Sequence, residues 1–178
     1  MDASSAFQDS LPLHPDRLIE KIDSLGLAYT SYSHPPLRTV ADSKAFRDEL
    51  LTAEEGGFHI KNLYLRDKKK RNYLAVIQED KEVDLKALAE PLGAGRISFG
   101  SQERLLTHLG VRPGAVTPLA MMHGASQDVT IGLDRELLAA KQVYMHPLVN
   151  DRTIGMSGAD VLRFLEAFSI TPIMLDIS

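Results

Sequence analysis

The sequence predicts an α/β domain in which a mixed β-sheet is flanked by helices. Six or seven strand patterns alternate with four or five helix patterns from residue 15 to the end of the chain. Two neighbouring strand patterns flank the segment DKKKRN, which indicates an antiparallel hairpin and therefore a mixed rather than a purely parallel sheet. A length of 178 residues, 44% of them hydrophobic, suits one compact domain.

The first elements follow a polar N-terminal segment. Residues 1–14 lack apolar periodicity, so we expect a flexible tail followed by a single domain over residues 15–178. A proline at position 15 and apolar residues at helical spacing predict a helix that ends at Gly26. A short strand over residues 28–33 and a weaker helix over 39–51 follow, separated by Pro35 and Pro36.

The middle of the chain carries the hairpin and two short helices. The strands are predicted in HIKNLYLRD, which starts at His59, and in NYLAVIQ, which starts at Asn72. Asp84 can cap the first helix and Ser101 the second, which runs to Gly110.

The last third of the chain alternates between strand and helix signals. Strands are predicted over residues 117–122, 128–133, 142–146 and 153–156, with a helical turn over 134–140. Ser157 can cap the final helix, and a strand over 172–176 closes the domain.

Composition narrows the classes of function. The chain has no cysteine, which excludes disulfides, thiolate metal sites and a cysteine nucleophile. Its histidines lack partners at metal-ligand spacing, and no phosphate-binding or dinucleotide motif is present, so we expect neither a metal nor an organic cofactor. No apolar run approaches a membrane span and no signal peptide is apparent, so we expect a cytoplasmic protein. A net charge of −4 argues against DNA binding and limits any RNA contact to a local patch.

Lys61 and the hairpin turn are the first candidates for function. Strand alternation puts Lys61 on one face with Leu63 and Leu65, which should point inward. Its ammonium group either reaches water or meets an anion such as a phosphate, and spacing alone does not separate these readings. The turn RDKKKR suits a polyanion, but taken alone it is better explained as an ordinary solvated turn, because charged turns are common.

Two later segments could also form a site. GVRPGAVTPLA, from Gly110, is typical of a tight loop whose amides could hold a carbonyl oxygen, or of a plain structural turn. His146 opens HPLVN, where it could lie at the rim of a pocket or be an edge residue without a role.

In this order, HIKNLYL, LGVRPGAVTPLA and HPLVN resemble the YbaK/ProX family from about Pro15 to the C-terminus. Its members are free-standing relatives of the editing domain of bacterial prolyl-tRNA synthetase, and the chain most resembles the trans-editing Ala-tRNA(Pro) deacylases. The resemblance implies their mostly antiparallel mixed sheet. It also implies catalytic roles for Lys61, Gly114 and His146. Further implied contacts are Asn62, Pro118 and Asn150 to the substrate, and Arg96, Lys68, Lys69, Lys70 and Arg71 to the tRNA.

The implied reaction is hydrolysis of the ester that joins alanine to the acceptor end of tRNA(Pro). An aminoacyl ester is already reactive, so positioning, a polarised carbonyl and the substrate's ribose hydroxyl can suffice. Met121, Met122, Val129 and Ile131 are candidate walls of the amino-acid pocket. The alternatives are removal of cysteine or serine from the same tRNA, a non-catalytic tRNA-binding module, and hydrolysis of a small free ester. Prolyl-tRNA synthetase is a further candidate partner.

Overall fold

The computed structural model describes residues 1–37 and 39–178, and it contains six α-helices within that part of the chain. The helices are α1 (Pro15–Ser24), α2 (Val40–Arg47), α3 (Leu85–Ala89), α4 (Gln102–Leu109), α5 (Met121–Gly124) and α6 (Gly158–Glu166). Short 3-10 helices cover Ser5–Ser10, Pro118–Ala120, Ala125–Gln127 and Arg135–Ala139. Within the described ranges, every helix is too short or too polar to cross a membrane.

Eight strands form one mixed sheet. They are β1 (Thr30–Ser33), β2 (Gly57–Asp67), β3 (Asn72–Gln78), β4 (Ile97–Phe99), β5 (Val129–Asp134), β6 (Gln142–Met145), β7 (Arg152–Met156) and β8 (Ile173–Leu175). The order across the sheet is β1-β7-β6-β2-β3-β5-β8, and β4 pairs with β2 outside this path. Of the pairings in the described chain, four are antiparallel and three are parallel, which confirms the predicted mixed, mostly antiparallel sheet.

Strand β2 is the longest strand and changes neighbours along one edge. Its first residues, 57–59, run parallel to β6, and its last residues, 65–67, run antiparallel to β4. The other edge pairs with β3 from Ile60 to Arg66, as the hairpin prediction required. Residues 60–64 therefore lie between the end of one neighbour and the start of the next.

The two faces of β2 contact two separate apolar clusters. Ile60 and Tyr64 belong to the larger cluster, which also contains buried side chains of α1, α4 and α6. Leu63 and Leu65 contact the smaller cluster, together with Leu88 of α3. Because side chains alternate along a strand, each β2 residue is assigned to one cluster by its parity.

The predicted helix ends are confirmed by their hydrogen bonds. Asp84, Ser101 and Ser157 each accept a hydrogen bond from a backbone N–H in the first turn of α3, α4 and α6, respectively. Gly110 follows α4 in the left-handed conformation, with φ of 68°, which is why glycine ends this helix.

The predicted strand over residues 117–122 is wrong. The Thr117 hydroxyl accepts a hydrogen bond from the N–H of Leu119 (3.3 Å), and Pro118 starts a 3-10 helix that continues into α5. The apolar run is buried all round, and periodicity alone does not separate a buried strand from a buried helix.

The N-terminal segment is attached to the domain by hydrogen bonds that its polar sequence did not indicate. The N–H of Asn150 donates to the carbonyl of Ala3 (2.8 Å), and Ser5 donates to the Asp151 carboxylate. Arg112 donates to the Ser10 hydroxyl (2.8 Å). These bonds hold residues 1–14 against the loops at 112–115 and 147–151.

We expect Gly158→Ala to destabilise the protein. A Cβ atom at Gly158 would lie 1.9 Å from the carbonyl oxygen of Leu137, so α6 would have to move away from the 3-10 helix Arg135–Ala139. A forced backbone shift of this kind costs about 1–3 kcal/mol of the free energy of unfolding.

Chemical denaturation measures this loss, with Gly95→Ala as the matched control. A Cβ atom at Gly95 has no neighbour within 4 Å, so its cost should stay below about 0.5 kcal/mol. Equal midpoints for the two variants would contradict the packing of α6 described here.

Candidate functional site

A cavity of about 380 Å³ lies beside β2, near residues 59–62 and the end of β6. It is walled by α2 and its flanks, β2, β6 and β7, and the loop after Gly114. Its lining residues are Leu37, Thr39, Ser43, Phe46, Arg47, Leu50, His59, Ile60, Asn62, Glu79, Val116, Tyr144, Met145, His146 and Thr153. This volume is at the lower end of the range for small-molecule sites.

Asn62 lines the cavity and carries a buried acceptor without a partner among the described residues. It lies on the same face of β2 as Ile60, at the stretch between the β6 and β4 pairings. Its Oδ1 atom is fully buried and has no hydrogen-bond partner among the described residues. A buried polar atom without a partner costs about 1–3 kcal/mol, so a ligand that donates a hydrogen bond here would recover that energy.

His146 lines the same cavity with a defined tautomer. Its Nδ1 atom lies 2.8 Å from the carbonyl oxygen of Arg152, and a carbonyl can only accept, so Nδ1 carries the proton. Burial lowers the pKa of His146 below its usual value, with a smaller lowering from the nearby His34. The neutral ring therefore keeps Nε2 as a hydrogen-bond acceptor.

A second histidine supports this wall of the cavity. His34 lies with its ring centre 6.3 Å from that of His146 and 4.3 Å from that of Phe46. Its Nδ1 atom donates to the carbonyl of Pro35 (2.8 Å), so the Thr153 hydroxyl donates to its Nε2 (2.8 Å). Thr153 also lines the cavity.

The opposite wall is held by aromatic and ionic contacts. His59 stacks on Tyr144, with ring centres 5.2 Å apart, and the Tyr144 hydroxyl accepts a hydrogen bond from the N–H of Leu51 (2.9 Å). Arg47 of α2 pairs with Glu79 at 2.7 Å, and both side chains are about one-third exposed, at 33% and 39%. Burial, and then the Arg47 charge, lower the pKa of His59 to about 4. The described residues contain no cluster of three or more metal-binding side chains.

The structure does not bring Lys61 into this cavity. Lys61 lies on the opposite face of β2 from Asn62, as the alternation predicted, and its ammonium group donates to the carbonyl of Lys81. Leu65 on the same face is fully buried, so the expected inward direction is confirmed for that residue. Of the three residues to which the resemblance gives catalytic roles, only His146 lines the cavity among the described residues.

Gly114 and Asn150 lie next to each other beside the cavity. Gly114 has φ of +94°, a conformation that favours glycine, and a Cβ there would lie 3.7 Å from the Asn150 amide nitrogen. Two residues after Gly114, Val116 reaches the cavity wall. The Asn150 carbonyl accepts from the N–H of Leu37 (3.1 Å), another lining residue, whereas Pro118 is buried in the core.

The residues predicted to contact tRNA separate into two groups. Lys68, Lys69 and Lys70 are exposed at the hairpin turn, and Arg96 lies at a separate open groove beside α3. Arg71 instead donates to the buried Asp67 carboxylate (2.7 Å). Arg71 therefore holds the turn in shape.

The predicted pocket walls need correction. Met121, Val129 and Ile131 are buried in the larger core cluster, and Met122 packs against it. Met121 and Met122 lie on α5 instead of the predicted strand, and Val129 and Ile131 lie on β5 within the sheet. The apolar walls come from other residues, namely Leu37, Phe46, Leu50, Ile60, Val116 and Met145. Sequence reasoning also missed Thr153 and Tyr144, since a polar or aromatic residue in a short strand gives no sign of facing a cavity.

Known proteins are similar to this chain in sequence and in fold. Residues 34–164 match the family model of the aminoacyl-tRNA editing domain. A prolyl-tRNA synthetase associated domain-containing protein 1 of Danio rerio is 36% identical over 160 residues, covering 89% of this chain and 84% of that protein. The prolyl-tRNA editing protein ProX of Acetoanaerobium sticklandii is 32% identical, covering 84% of this chain and 89% of its own length.

Two solved structures show the same fold. The hypothetical protein APE2540 superposes with a TM-score of 0.70 at 21% identity, covering 90% of this chain and 97% of its own. A protein described as a candidate trans-editing enzyme for prolyl-tRNA synthetase gives a TM-score of 0.68 at 17% identity, covering 92% of this chain and 96% of its own. The family model spans most of the chain, and several relatives are more than 30% identical to it. The chain belongs to the aminoacyl-tRNA editing domain family, with relatives among the ProX and prolyl-tRNA synthetase associated domain proteins.

Proposed function

We propose that this protein is a trans-editing deacylase that hydrolyses the ester of mischarged Ala-tRNA(Pro). The observation that carries the proposal is a cavity lined by both Asn62, whose Oδ1 atom is unpaired among the described residues, and the neutral His146 ring, within a chain of the editing family. Its volume of about 380 Å³ suits the aminoacyl end of a tRNA. Because the proposed substrate is a tRNA, we expect the protein to act in the cytoplasm. Prolyl-tRNA synthetase charges the same tRNA and is therefore a candidate partner.

The chemistry relies on positioning. No cysteine is present, and an aminoacyl ester is reactive enough for a well-placed water to attack its carbonyl. In this mechanism, His146 Nε2 accepts a hydrogen bond from the water or from a ribose hydroxyl, and Asn62 Oδ1 accepts one from the substrate's amino group or ribose. Backbone amides of the loop at Gly114 polarise the ester carbonyl.

The apolar walls favour a small amino acid. An extra methylene in an apolar pocket changes binding by only about 1–3 kcal/mol, so exclusion by size separates alanine from proline better than attraction does. Phe46, Leu50 and Met145 are large side chains that restrict the space around the bound amino acid. Cysteine and serine are close to alanine in size, and the same assay tests them.

We assign Lys61 to the tRNA side of the site. Among the described residues its flexible side chain is bonded only to a backbone carbonyl, and it can exchange that bond for a phosphate of the acceptor end. Lys68, Lys69 and Lys70 at the hairpin turn, and Arg96 at the neighbouring groove, add charge for the acceptor stem. Such contacts make binding salt-dependent without reading the sequence.

Purified protein is expected to release alanine from Ala-tRNA(Pro) but to spare Pro-tRNA(Pro) and Ala-tRNA(Ala). Loss of labelled amino acid over time measures all three reactions. Lys61→Ala is expected to abolish deacylation and leave the fold intact, because Lys61 is only partly buried and makes a single hydrogen bond to Lys81.

The control is Lys21→Ala, which removes a lysine from α1 that contacts Phe168. It should retain wild-type activity. Near-normal turnover by the Lys61→Ala variant would show that Lys61 has no role in the reaction. If the protein hydrolyses Cys-tRNA(Pro) or Ser-tRNA(Pro) in preference to Ala-tRNA(Pro), then alanine is not the amino acid that it removes. If it hydrolyses none of these tRNAs, the proposed function is refuted.

The low pKa of His59 predicts a loss of stability in acid. The unfolded chain takes up a proton on this residue near pH 6.5, whereas the folded protein does so only at about 4, so stability falls as the pH drops through this window. Solvent access reduces the effect to about 1–2 kcal/mol at pH 4. His59→Phe keeps a ring against Tyr144 and removes the titration.

Urea denaturation at pH 7 and at pH 4.5 measures this difference. Wild type is expected to lose more free energy of unfolding between the two pH values than His59→Phe. Identical losses would show that His59 titrates normally and that this wall of the cavity is open to water.

A further inference from the structure

Phe99 is the most exposed aromatic side chain in the described part of the chain. Its relative exposure is 62%, whereas the next aromatic residue, Phe7, reaches 36%. It ends the three-residue strand β4, whose partner in the sheet is β2. An exposed ring at a sheet edge offers a flat apolar surface on which another aromatic ring can stack.

The hairpin turn, which begins where Asp67 pairs with Ile97 at the other end of β4, is basic and well fixed. The Asp67 carboxylate is buried at the base of the hairpin turn and accepts bonds from the Arg71 N–H (3.0 Å), the Arg71 Nε (2.7 Å) and the Tyr73 hydroxyl (3.1 Å). Arg104 donates to the Lys70 carbonyl (3.1 Å). These bonds fix the backbone of the turn and leave its three lysine side chains exposed to solvent.

Phe99 lies on the face of β2 opposite Asn62 and the cavity, between Lys61 and the turn lysines along the strand. It pairs directly with Leu65, so it is on the face of β2 that also carries Lys61 and Leu63. Leu65 is three residues from Asn62 and three from Lys68, or about 10 Å along the strand in each direction. Lys61, Phe99 and the turn lysines thus follow one another along one side of the sheet, in the order cation, aromatic ring, cations.

We propose that Phe99 is a stacking platform for a base of the single-stranded 3′ end of the bound tRNA. This inference rests on the proposed function and adds a second contact site to it. Every nucleobase can stack on an exposed ring, and flanking lysines hold the phosphates on either side. The terminal aminoacylated nucleotide occupies the cavity, the strand turns over the edge of β2 past Lys61, and a preceding base stacks on Phe99.

A single introduced tryptophan tests the stacking directly. The chain has no tryptophan, so Phe99→Trp creates a unique fluorescent reporter, and Phe7→Trp provides a matched control at the other exposed aromatic position. The probe is an uncharged tRNA(Pro) acceptor-stem hairpin with its single-stranded 3′ end, compared with the same hairpin trimmed to a blunt end. We expect the first RNA to quench the fluorescence of the Phe99→Trp variant and the second to quench it little, with the fluorescence of the Phe7→Trp variant unchanged by both.

Deacylation kinetics test the stacking role independently of fluorescence. Phe99→Ala is expected to raise the KM for Ala-tRNA(Pro) by roughly 5- to 100-fold, the range for one stacked base, and to leave hydrolysis of a small alanyl-adenosine ester unchanged. Phe7→Ala should alter neither reaction.

The outcomes separate this inference from the proposed function. Normal deacylation of Ala-tRNA(Pro) by Phe99→Ala, or unquenched fluorescence of Phe99→Trp with RNA whose binding is shown by anisotropy, would overturn the stacking role alone. Quenching of Phe99→Trp by prolyl-tRNA synthetase and not by RNA would overturn it in favour of a protein contact. If the wild-type protein hydrolyses no aminoacyl ester but RNA still quenches the fluorescence of Phe99→Trp, the proposed reaction is refuted and the RNA contact is supported.

Discussion

The site depends on one constraint in the sheet, which is that β2 has different neighbours along the two halves of one edge. Along β2, the pairing with parallel β6 ends at His59, and the pairing with antiparallel β4 starts at Leu65. The residues between them have a strand on only one side, and Asn62 is at the centre of that stretch. The gap lets the end of β6, the loop after Gly114 and helix α2 approach β2, and the space they leave is the cavity.

Burial sets the chemistry of the cavity. It lowers the pKa of both His59 and His146, so the walls carry neutral imidazoles instead of added positive charge. It also leaves Asn62 Oδ1 without a partner, whereas the charged pair Arg47–Glu79 stays at the partly exposed rim. The interior is therefore suited to hydrogen bonding of a polar, reactive ester, and the cations available for a polyanion lie outside it, at Lys61 and the hairpin turn.

Much of the fold could be predicted because each element carries its own local signal. Proline and serine caps, the glycine after α4 and the alternation in the hairpin fixed most helices and strands. Residues 117–122 failed because a run that is buried on all sides has no periodicity to interpret. Parity also put Lys61 and Asn62 on opposite faces, but only the sheet order shows which face meets the cavity. Thr153, Tyr144 and the true apolar walls depend on long-range pairings that local patterns do not encode.

In the proposed mechanism, the aminoacyl group binds between Asn62 and His146. Nuclear magnetic resonance of labelled protein, titrated with an amide-linked analogue of alanyl-adenosine that cannot be hydrolysed, tests it most directly. The signals of the Asn62 side-chain amide and the His146 ring nitrogens are expected to shift with one common affinity. Shifts confined to the Lys61–Lys81 side of β2, with the signals of Asn62 and His146 unmoved, would contradict it.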